Sequence, residues 1–165
     1  MIVVSNSSPL IALARIGPLN LLATLYRRIL IPPEVGHEVT VAGQGLPGAG
    51  QVRGAAWIEV AAPRVAADPV VERGCRALGA GERGAILLAK ATNADLTLLD
   101  ESKARRIARE AGLSVMGCIG LLEAGWRNGI VRDLRQAYTE LLRQAIRLDL
   151  KLLQDSLAKL GLPGL

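Results

Sequence analysis

The sequence contains no phenylalanine, and two tryptophans with two tyrosines bring the aromatic share of its 165 residues to only 2%. This scarcity argues against RNA-binding modules that stack bases on a platform of Phe and Tyr. Hydrophobic residues nevertheless make up 50% of the chain, so the core must be aliphatic. The same share excludes intrinsic disorder as a description of the whole chain.

Cysteine and histidine are also scarce. Cys75 and Cys118 have no metal-binding spacing, which favours a protein kept in the reducing cytoplasm. Cys118 is interpreted as a small core residue rather than a nucleophile, and His37 has no catalytic Ser or Cys partner. No apolar run reaches the ~18 residues of a membrane span, so we expect a cytoplasmic protein without membrane contact.

Negative charge is in deficit, because 15 Asp and Glu residues face 20 Lys and Arg residues, giving a net charge of +5. Sixteen of the 20 cations are arginines, whose planar fork suits phosphate groups. The surplus is compatible with a polyanionic partner such as RNA. It is equally compatible with a basic surface that binds nothing.

Short apolar runs alternate with helical patterns along the chain. The runs predicted as strands are 2–4, 29–31, 57–60, 95–99 and 114–116. This alternation predicts an α/β fold with a parallel sheet of about five strands covered by helices on both faces. Glycine-rich residues 42–56 predict a flexible loop. We expect one domain over 1–165, with a C-terminal helical extension at 132–165 that divides at Asp149 as a helix N-cap.

Oxygen-bearing side chains recur near the expected carboxyl ends of the strands. Asn6 follows the first strand, Asp100 ends the fourth with Glu101 beside it, Glu38 lies on the helix after the second, and Glu82 opens a helix. Ligands of open α/β sheets bind at this edge, and converging oxygens suit Mg²⁺ or Mn²⁺. Such an ion lowers the pKa of a bound water and stabilises a phosphate in displacement.

Each of these residues also has a purely structural interpretation. Asp100 is placed to cap the next helix, and Glu82 is favoured by the macrodipole at its helix start. Glu38 fits a solvated helix face, and Asn6 fits a turn with local hydrogen bonds. The metal hypothesis therefore depends on whether the four side chains meet.

A glycine pattern offers a different hypothesis, because residues 79–84 match the dinucleotide-binding motif and open a helix. The preceding segment is charged and helix-like rather than a strand, and Glu82 would face the pyrophosphate. Residues 43–48 match the same pattern but neither follow a strand nor open a helix. We therefore do not favour a dinucleotide enzyme.

Basic residues follow Asp100 directly. Lys103, Arg105 and Arg109 lie on the helix predicted after it, and Arg105 and Arg109 share a face. Such a face can contact an RNA backbone beside a metal site. A solvated helix surface explains the same residues equally well.

Four segments in this order resemble one known family: VSNSSPLI at 4–11, GERGAI at 81–86, LDESKAR at 99–105 and GCIGLL at 117–122. Together they resemble the PIN-like family known as domain of unknown function 3368, over nearly the whole chain. The resemblance implies a three-layer α/β/α PIN fold and a Mg²⁺- or Mn²⁺-dependent ribonuclease. It further implies a toxin neutralised by a small antitoxin protein, and a homodimer.

The resemblance also implies roles for individual residues. Asn6 takes the first acidic position, Glu38 the second, Glu82 the third and Asp100 the fourth, with Glu101 as an auxiliary ligand. Ser7 and Ser8 would support the first position by hydrogen bonding. PIN nucleases usually carry Asp where Asn6 stands, and an amide oxygen brings no negative charge, so metal affinity should fall. The alternative is a catalytically degenerate PIN-like module that binds RNA or a protein partner.

Overall fold

Five parallel strands form one sheet in the computed structural model, which describes residues 1–165. Their order across the sheet is β3-β2-β1-β4-β5, so β3 and β5 are the edges. The strands are β1 (Val3–Ser5), β2 (Ile29–Ile31), β3 (Ile58–Val60), β4 (Leu96–Leu98) and β5 (Val115–Met116). The predicted parallel sheet of about five strands is confirmed.

Ten α-helices connect and cover the strands. A 3₁₀ turn at Pro18–Asn20 precedes the second helix, and a π-helical turn at Glu38–Ala42 continues the third. The helices are α1 (Ser7–Ile16), α2 (Leu21–Tyr26), α3 (Pro33–His37), α4 (Ala49–Gly54), α5 (Pro69–Gly74), α6 (Ala80–Thr92), α7 (Ser102–Glu110), α8 (Cys118–Arg127), α9 (Leu134–Arg143) and α10 (Leu150–Lys159). None of them is both long and apolar enough to cross a membrane.

Two aliphatic clusters lie on opposite faces of the sheet. Successive strand residues point to opposite faces, so Val3 joins the larger cluster and Val4 the smaller one. The larger cluster of 24 residues packs α1, α2, α8, α9 and α10 against the sheet. The smaller cluster of 11 residues packs α6 and α7 against the other face. This arrangement is the α/β/α sandwich that the sequence predicts.

The C-terminal helices are part of the larger cluster. Tyr138 of α9 and Leu157 of α10 are fully buried in it. Asp149 caps α10 as predicted, because its carboxylate accepts a hydrogen bond of 2.8 Å from the backbone N–H of Lys151. The C-terminal segment therefore stabilises the same core as the helices that precede it in sequence.

The prediction of a loop throughout residues 42–56 is wrong for Ala49–Gly54, which forms α4. Only Ala49 and Val52 of this helix are buried, so the segment has too few apolar residues to show a helical period. Gly48 precedes it with φ of +87°, a backbone conformation that favours glycine.

The order in which strands are added to the sheet reverses at β1. The chain builds β2 and β3 on one side of β1 and then crosses to place β4 on the other side. Ser5 pairs with Leu98, and the backbone N–H of Asn6 donates to the carbonyl of Leu98 over 3.1 Å. In open α/β sheets this switch point leaves a crevice at the carboxyl ends of the strands, where ligands bind.

Candidate functional site at the switch point of the sheet

Asn6 occupies the crevice at the end of β1. It lies at the N-cap position of α1, yet its side chain makes no capping hydrogen bond. The residue is only 3% exposed, so its amide group is buried. An Asn at this position normally satisfies a free N–H of the first helical turn. The Asn6 amide therefore does something other than stabilise α1.

Glu38 approaches Asn6 from the other side of the crevice. It is the first residue of the π-helical turn that follows α3. The Ser7 hydroxyl donates a hydrogen bond of 2.6 Å to Oε2 of Glu38 and lies 3.5 Å from Oδ1 of Asn6. Ser7 thus orients the carboxylate beside the amide oxygen. Ser8, its neighbour, is exposed.

Gly81 of α6 marks the point where these oxygens converge. A Cβ at position 81 would lie 2.5 Å from Oε1 of Glu38 and 2.9 Å from both Oε2 of Glu38 and Oδ1 of Asn6. Any side chain at this position would displace the two groups, so only glycine lets α6 lie this close to them. Three oxygens from two separate elements therefore converge on Gly81.

Asp100 follows β4, the strand that pairs with β1. Its Oδ1 accepts a hydrogen bond of 2.6 Å from the backbone N–H of Cys118, the first residue of α8. Burial raises the pKa of the Asp100 carboxyl, while this hydrogen bond and the charge of Arg105 act in the opposite direction. The Asp100 side chain is thus fixed at the same edge of the sheet as Asn6.

The side chains of Arg105 and Asp100 both pack against a second glycine, Gly117. A Cβ at position 117 would lie 2.9 Å from both Oδ1 of Asp100 and Nη1 of Arg105. Burial and the charge of Arg109 lower the pKa of the Arg105 guanidinium, and Asp100 opposes them. Burial, together with the Asp100 charge, raises the pKa of the Cys118 thiol well above its ordinary value. A thiol held protonated in this way is a poor nucleophile.

Glu82 and Glu101 are engaged with helix backbones. Oε2 of Glu82 accepts a hydrogen bond of 2.9 Å from the N–H of Gly79, the N-cap residue of α6. Oε2 of Glu101 accepts one of 2.7 Å from the N–H of Ala104 at the start of α7. Neither carboxylate makes a hydrogen bond with Asn6, Ser7 or Glu38. The hydrogen bond from Gly79 thus agrees with the interpretation of Glu82 as a residue that stabilises the start of α6.

Comparison with known protein families shows which family the chain belongs to. The family model DUF3368, which describes a PIN domain, matches residues 2–162. The chain is a PIN domain of this family. No curated protein and no solved structure matches the chain significantly. The predicted family and fold class are therefore confirmed, whereas the roles of individual side chains rest on the geometry given above.

The donor set of this PIN domain fits a hard cation at Gly81. PIN domains generally use divalent metals, and Mg²⁺ and Mn²⁺ prefer oxygen ligands. Asn6 and Glu38 supply oxygens around the space that a Cβ of Gly81 would fill. Asp100 supplies a further carboxylate on the adjacent strand, but the structure contains no group of three or more His, Cys, Asp or Glu side chains arranged to hold an ion. An ion at this point would thus have few protein ligands, with the Glu38 carboxylate linked to the Asn6 amide through the Ser7 hydroxyl.

The predicted RNA-contact residues of the PIN domain all lie on α7. Lys103 and Arg109 are exposed, whereas Arg105 is partly buried beside Asp100. Among the three, only Arg105 lies next to a residue of the candidate site. No sequence pattern indicates the role of Gly81 and Gly117, because their importance arises from contacts between distant segments.

Proposed function

We propose that this PIN domain is a ribonuclease that depends on Mg²⁺ or Mn²⁺ held at the switch point. The observation that carries the proposal is the convergence of Asn6 and Glu38 oxygens on the space above Gly81. Its position beside Asp100, where two paired strands end, matches the place where α/β sheets bind ligands. The family assignment supports the same chemistry.

Each residue of the proposed site has a distinct task. Glu38 and Asn6 hold the ion, with Glu38 supplying the negative charge and Ser7 fixing its orientation through the hydrogen bond to Oε2. Asp100, fixed by the N–H of Cys118, supplies a second carboxylate from the neighbouring strand. Arg105 offers its guanidinium to the phosphate of the RNA backbone.

A bound divalent ion supplies positive charge that lowers the pKa of a water ligand and neutralises a phosphate group. Glu82 and Glu101, which the family resemblance also assigns to the ion, contribute in this proposal by capping α6 and α7. Their carboxylates fix the helix starts that carry Gly81 and Arg105. RNA is the proposed substrate because the net charge of +5 favours a polyanion, and the scarcity of aromatic residues directs its binding to the phosphate backbone rather than to stacked bases.

A cleavage assay tests the proposal. Single-stranded RNA labelled at one end is incubated with the protein in Mg²⁺, in Mn²⁺ and in EDTA, alongside the Asp100→Asn variant. We expect cleavage only with the divalent ions, and a loss of at least about 100-fold in the variant. Cleavage that persists in EDTA contradicts the proposed metal dependence, and full activity of Asp100→Asn contradicts the role of Asp100.

A second candidate function is a degenerate PIN module that binds RNA or a protein partner without cleaving RNA. The observation that favours it is the neutral amide of Asn6, which leaves Glu38 as the one carboxylate linked to that amide through the Ser7 hydroxyl. Calorimetric titration with Mn²⁺ separates the two candidates. Binding that is lost in Glu38→Gln supports the nuclease, whereas no heat of binding up to millimolar Mn²⁺ supports the degenerate module.

The proposal extends to the biological setting that the family resemblance implies. We propose that the protein acts as the toxin of a toxin–antitoxin pair, with a small protein that neutralises it, and that it forms a homodimer. Co-expression with the product of a small adjacent reading frame tests the pairing by rescue of growth and by co-purification. Light scattering gives the mass of the protein in solution and tests the dimer.

A further inference from the structure

A cleft of about 400 Å³ opens between the edge strand β5 and helix α10. Its apolar lining comes from Val115, Met116, Ile119 and Leu152. Leu152 is 52% exposed, so part of this lining is in contact with solvent. The volume lies within the range of about 300–1,000 Å³ that is typical of small-ligand pockets.

The cleft is adjacent to the candidate metal site. Arg105 and Gly117 both line the cleft, and both lie next to the Asp100 carboxylate in space. Because position 117 lacks a Cβ, the guanidinium of Arg105 and the carboxylate of Asp100 approach the same point. An extended ligand that reaches Asp100 can therefore continue past Arg105 into the cleft.

The acidic side chains of the cleft already have partners. Glu123 accepts a hydrogen bond of 2.6 Å from Ser156 and lies 3.9 Å from the guanidinium of Arg127. Asp155 pairs with Lys151 at 2.6 Å, which compensates its charge. Both carboxylates are thus engaged by groups other than the basic residues that line the cleft.

The two cations of the cleft lie outside the ion pairs of these carboxylates. Arg105 and Lys159 line it, and neither makes an ion pair within 4.0 Å. Arg105 is partly buried beside the Asp100 carboxylate, whereas Lys159 is exposed at the rim of the cleft. The cleft therefore combines two basic groups, neither in an ion pair within 4.0 Å, with an apolar lining, a combination that suits a phosphodiester with an attached sugar and base.

We propose that this cleft is a nucleotide-binding subsite for single-stranded RNA, and the inference rests on the proposed ribonuclease function. Lys159 and Arg105 contact consecutive phosphates, while the sugar and base of one nucleotide lie on Val115 and Leu152. The cleft contains no aromatic residue, so binding depends on charge and apolar contact rather than on stacking. The subsite thus selects RNA over a protein partner by its phosphate groups.

Fluorescence anisotropy of a labelled single-stranded RNA of about six nucleotides tests the subsite. The titration is performed in EDTA, so that no metal-dependent cleavage occurs. Lys159→Gln is expected to weaken binding about three- to tenfold and to reduce the slope of log K against log salt by about 0.7. The matched control is Arg64→Gln, because Arg64 is exposed and follows β3 at the opposite edge of the sheet. That variant should retain the affinity of the natural protein apart from a small effect of net charge.

A second variant tests the same subsite by a gain of affinity. Asp155→Asn removes a negative charge from the cleft and frees Lys151, so we expect binding to strengthen about two- to fivefold. Equal losses in Lys159→Gln and Arg64→Gln, or no change in Lys159→Gln and Asp155→Asn, would overturn the subsite. These binding outcomes are independent of cleavage: the expected changes without any divalent-dependent cleavage would support the subsite and contradict the ribonuclease.

Discussion

The Ser7 hydroxyl and the Glu38 carboxylate lie 31 residues apart in sequence and are joined by a hydrogen bond of 2.6 Å. Ser7 opens α1 and Glu38 opens the π-helical turn after α3. The bond therefore fixes the position of Glu38 relative to Asn6, which directly precedes Ser7. A π-helical turn at this point is consistent with a functional site, where such turns are frequent.

Removal of this bond should reduce activity without unfolding the protein. Ser7→Ala leaves Glu38 in place but free to rotate, and we expect kcat for RNA cleavage to fall about 10- to 100-fold. Ser8→Ala is the matched control, because Ser8 is the exposed neighbour on the same helical turn. Equal rates for the two variants, measured with the same divalent ion, would contradict a positioning role for Ser7.

Gly81→Ala should close the proposed ion site. The added methyl group would lie 2.5 Å from Oε1 of Glu38, so the carboxylate must move. We expect loss of Mn²⁺ binding by calorimetry and loss of cleavage. Gly50→Ala in α4 is the control, because nothing lies within 4 Å of its Cβ position. That substitution should leave activity unchanged and stabilise the helix by up to about 1 kcal/mol.

Two substitutions at Glu82 distinguish a helix cap from a metal ligand. Gln keeps an acceptor oxygen for the N–H of Gly79, so Glu82→Gln should retain both stability and cleavage rate. Glu82→Ala leaves the N–H of Gly79 without its partner and should lower the free energy of unfolding by about 0.5–2 kcal/mol. A loss of 100-fold or more in kcat for Glu82→Gln at full stability would instead indicate a ligand role.

Alkaline pH should destabilise the fold through Tyr138. Burial raises the pKa of Tyr138 to about 12, from about 10 in an unfolded chain. Its hydroxyl donates a hydrogen bond to the Ser156 hydroxyl, which in turn donates one to the Glu123 carboxylate. Between these two pKa values, Tyr138 therefore stays protonated in the folded state and is deprotonated in the unfolded state. The contribution, about 2–3 kcal/mol, is complete below pH 10 and disappears as the pH rises towards 12.

Urea unfolding at about pH 9 and about pH 11 measures this effect. The natural protein should lose more stability between the two values than Tyr138→Phe, because phenylalanine has no proton to release. The variant is expected to fold, since the ring that fills the core is retained. Equal losses in the two proteins would show that Tyr138 does not titrate differently in the folded and unfolded states.

Much of the fold follows from local sequence patterns. The runs at 29–31 and 95–99 are apolar and bounded by turn residues, so their positions as buried strands were predictable. The parallel order followed because helical segments separate the strands. Helix α4 was not predictable, since burial of only Ala49 and Val52 produces no period.

The candidate site was predictable only in part. The proximity of Asn6 and Asp100 follows from the rule that parallel strands end at one edge. The convergence on Gly81 does not, because it depends on how α3 packs against α6, which no local pattern encodes. The capping role of Glu82 was partly hidden because its N-cap, Gly79, has no side chain to complete the usual Ser/Thr-x-x-Glu pattern.

The most direct test of the central claim compares two carboxylates that lie one helical turn apart. Glu38 contacts the proposed ion site, whereas Glu34 of α3 faces Gly84. Cleavage of single-stranded RNA in Mn²⁺ is measured for Glu38→Gln and Glu34→Gln, each with an EDTA control. A loss of at least about 100-fold in Glu38→Gln, with near-natural activity in Glu34→Gln, is the predicted result. Equal activity of the two variants, or equal cleavage in EDTA, would contradict a metal-dependent site at Glu38.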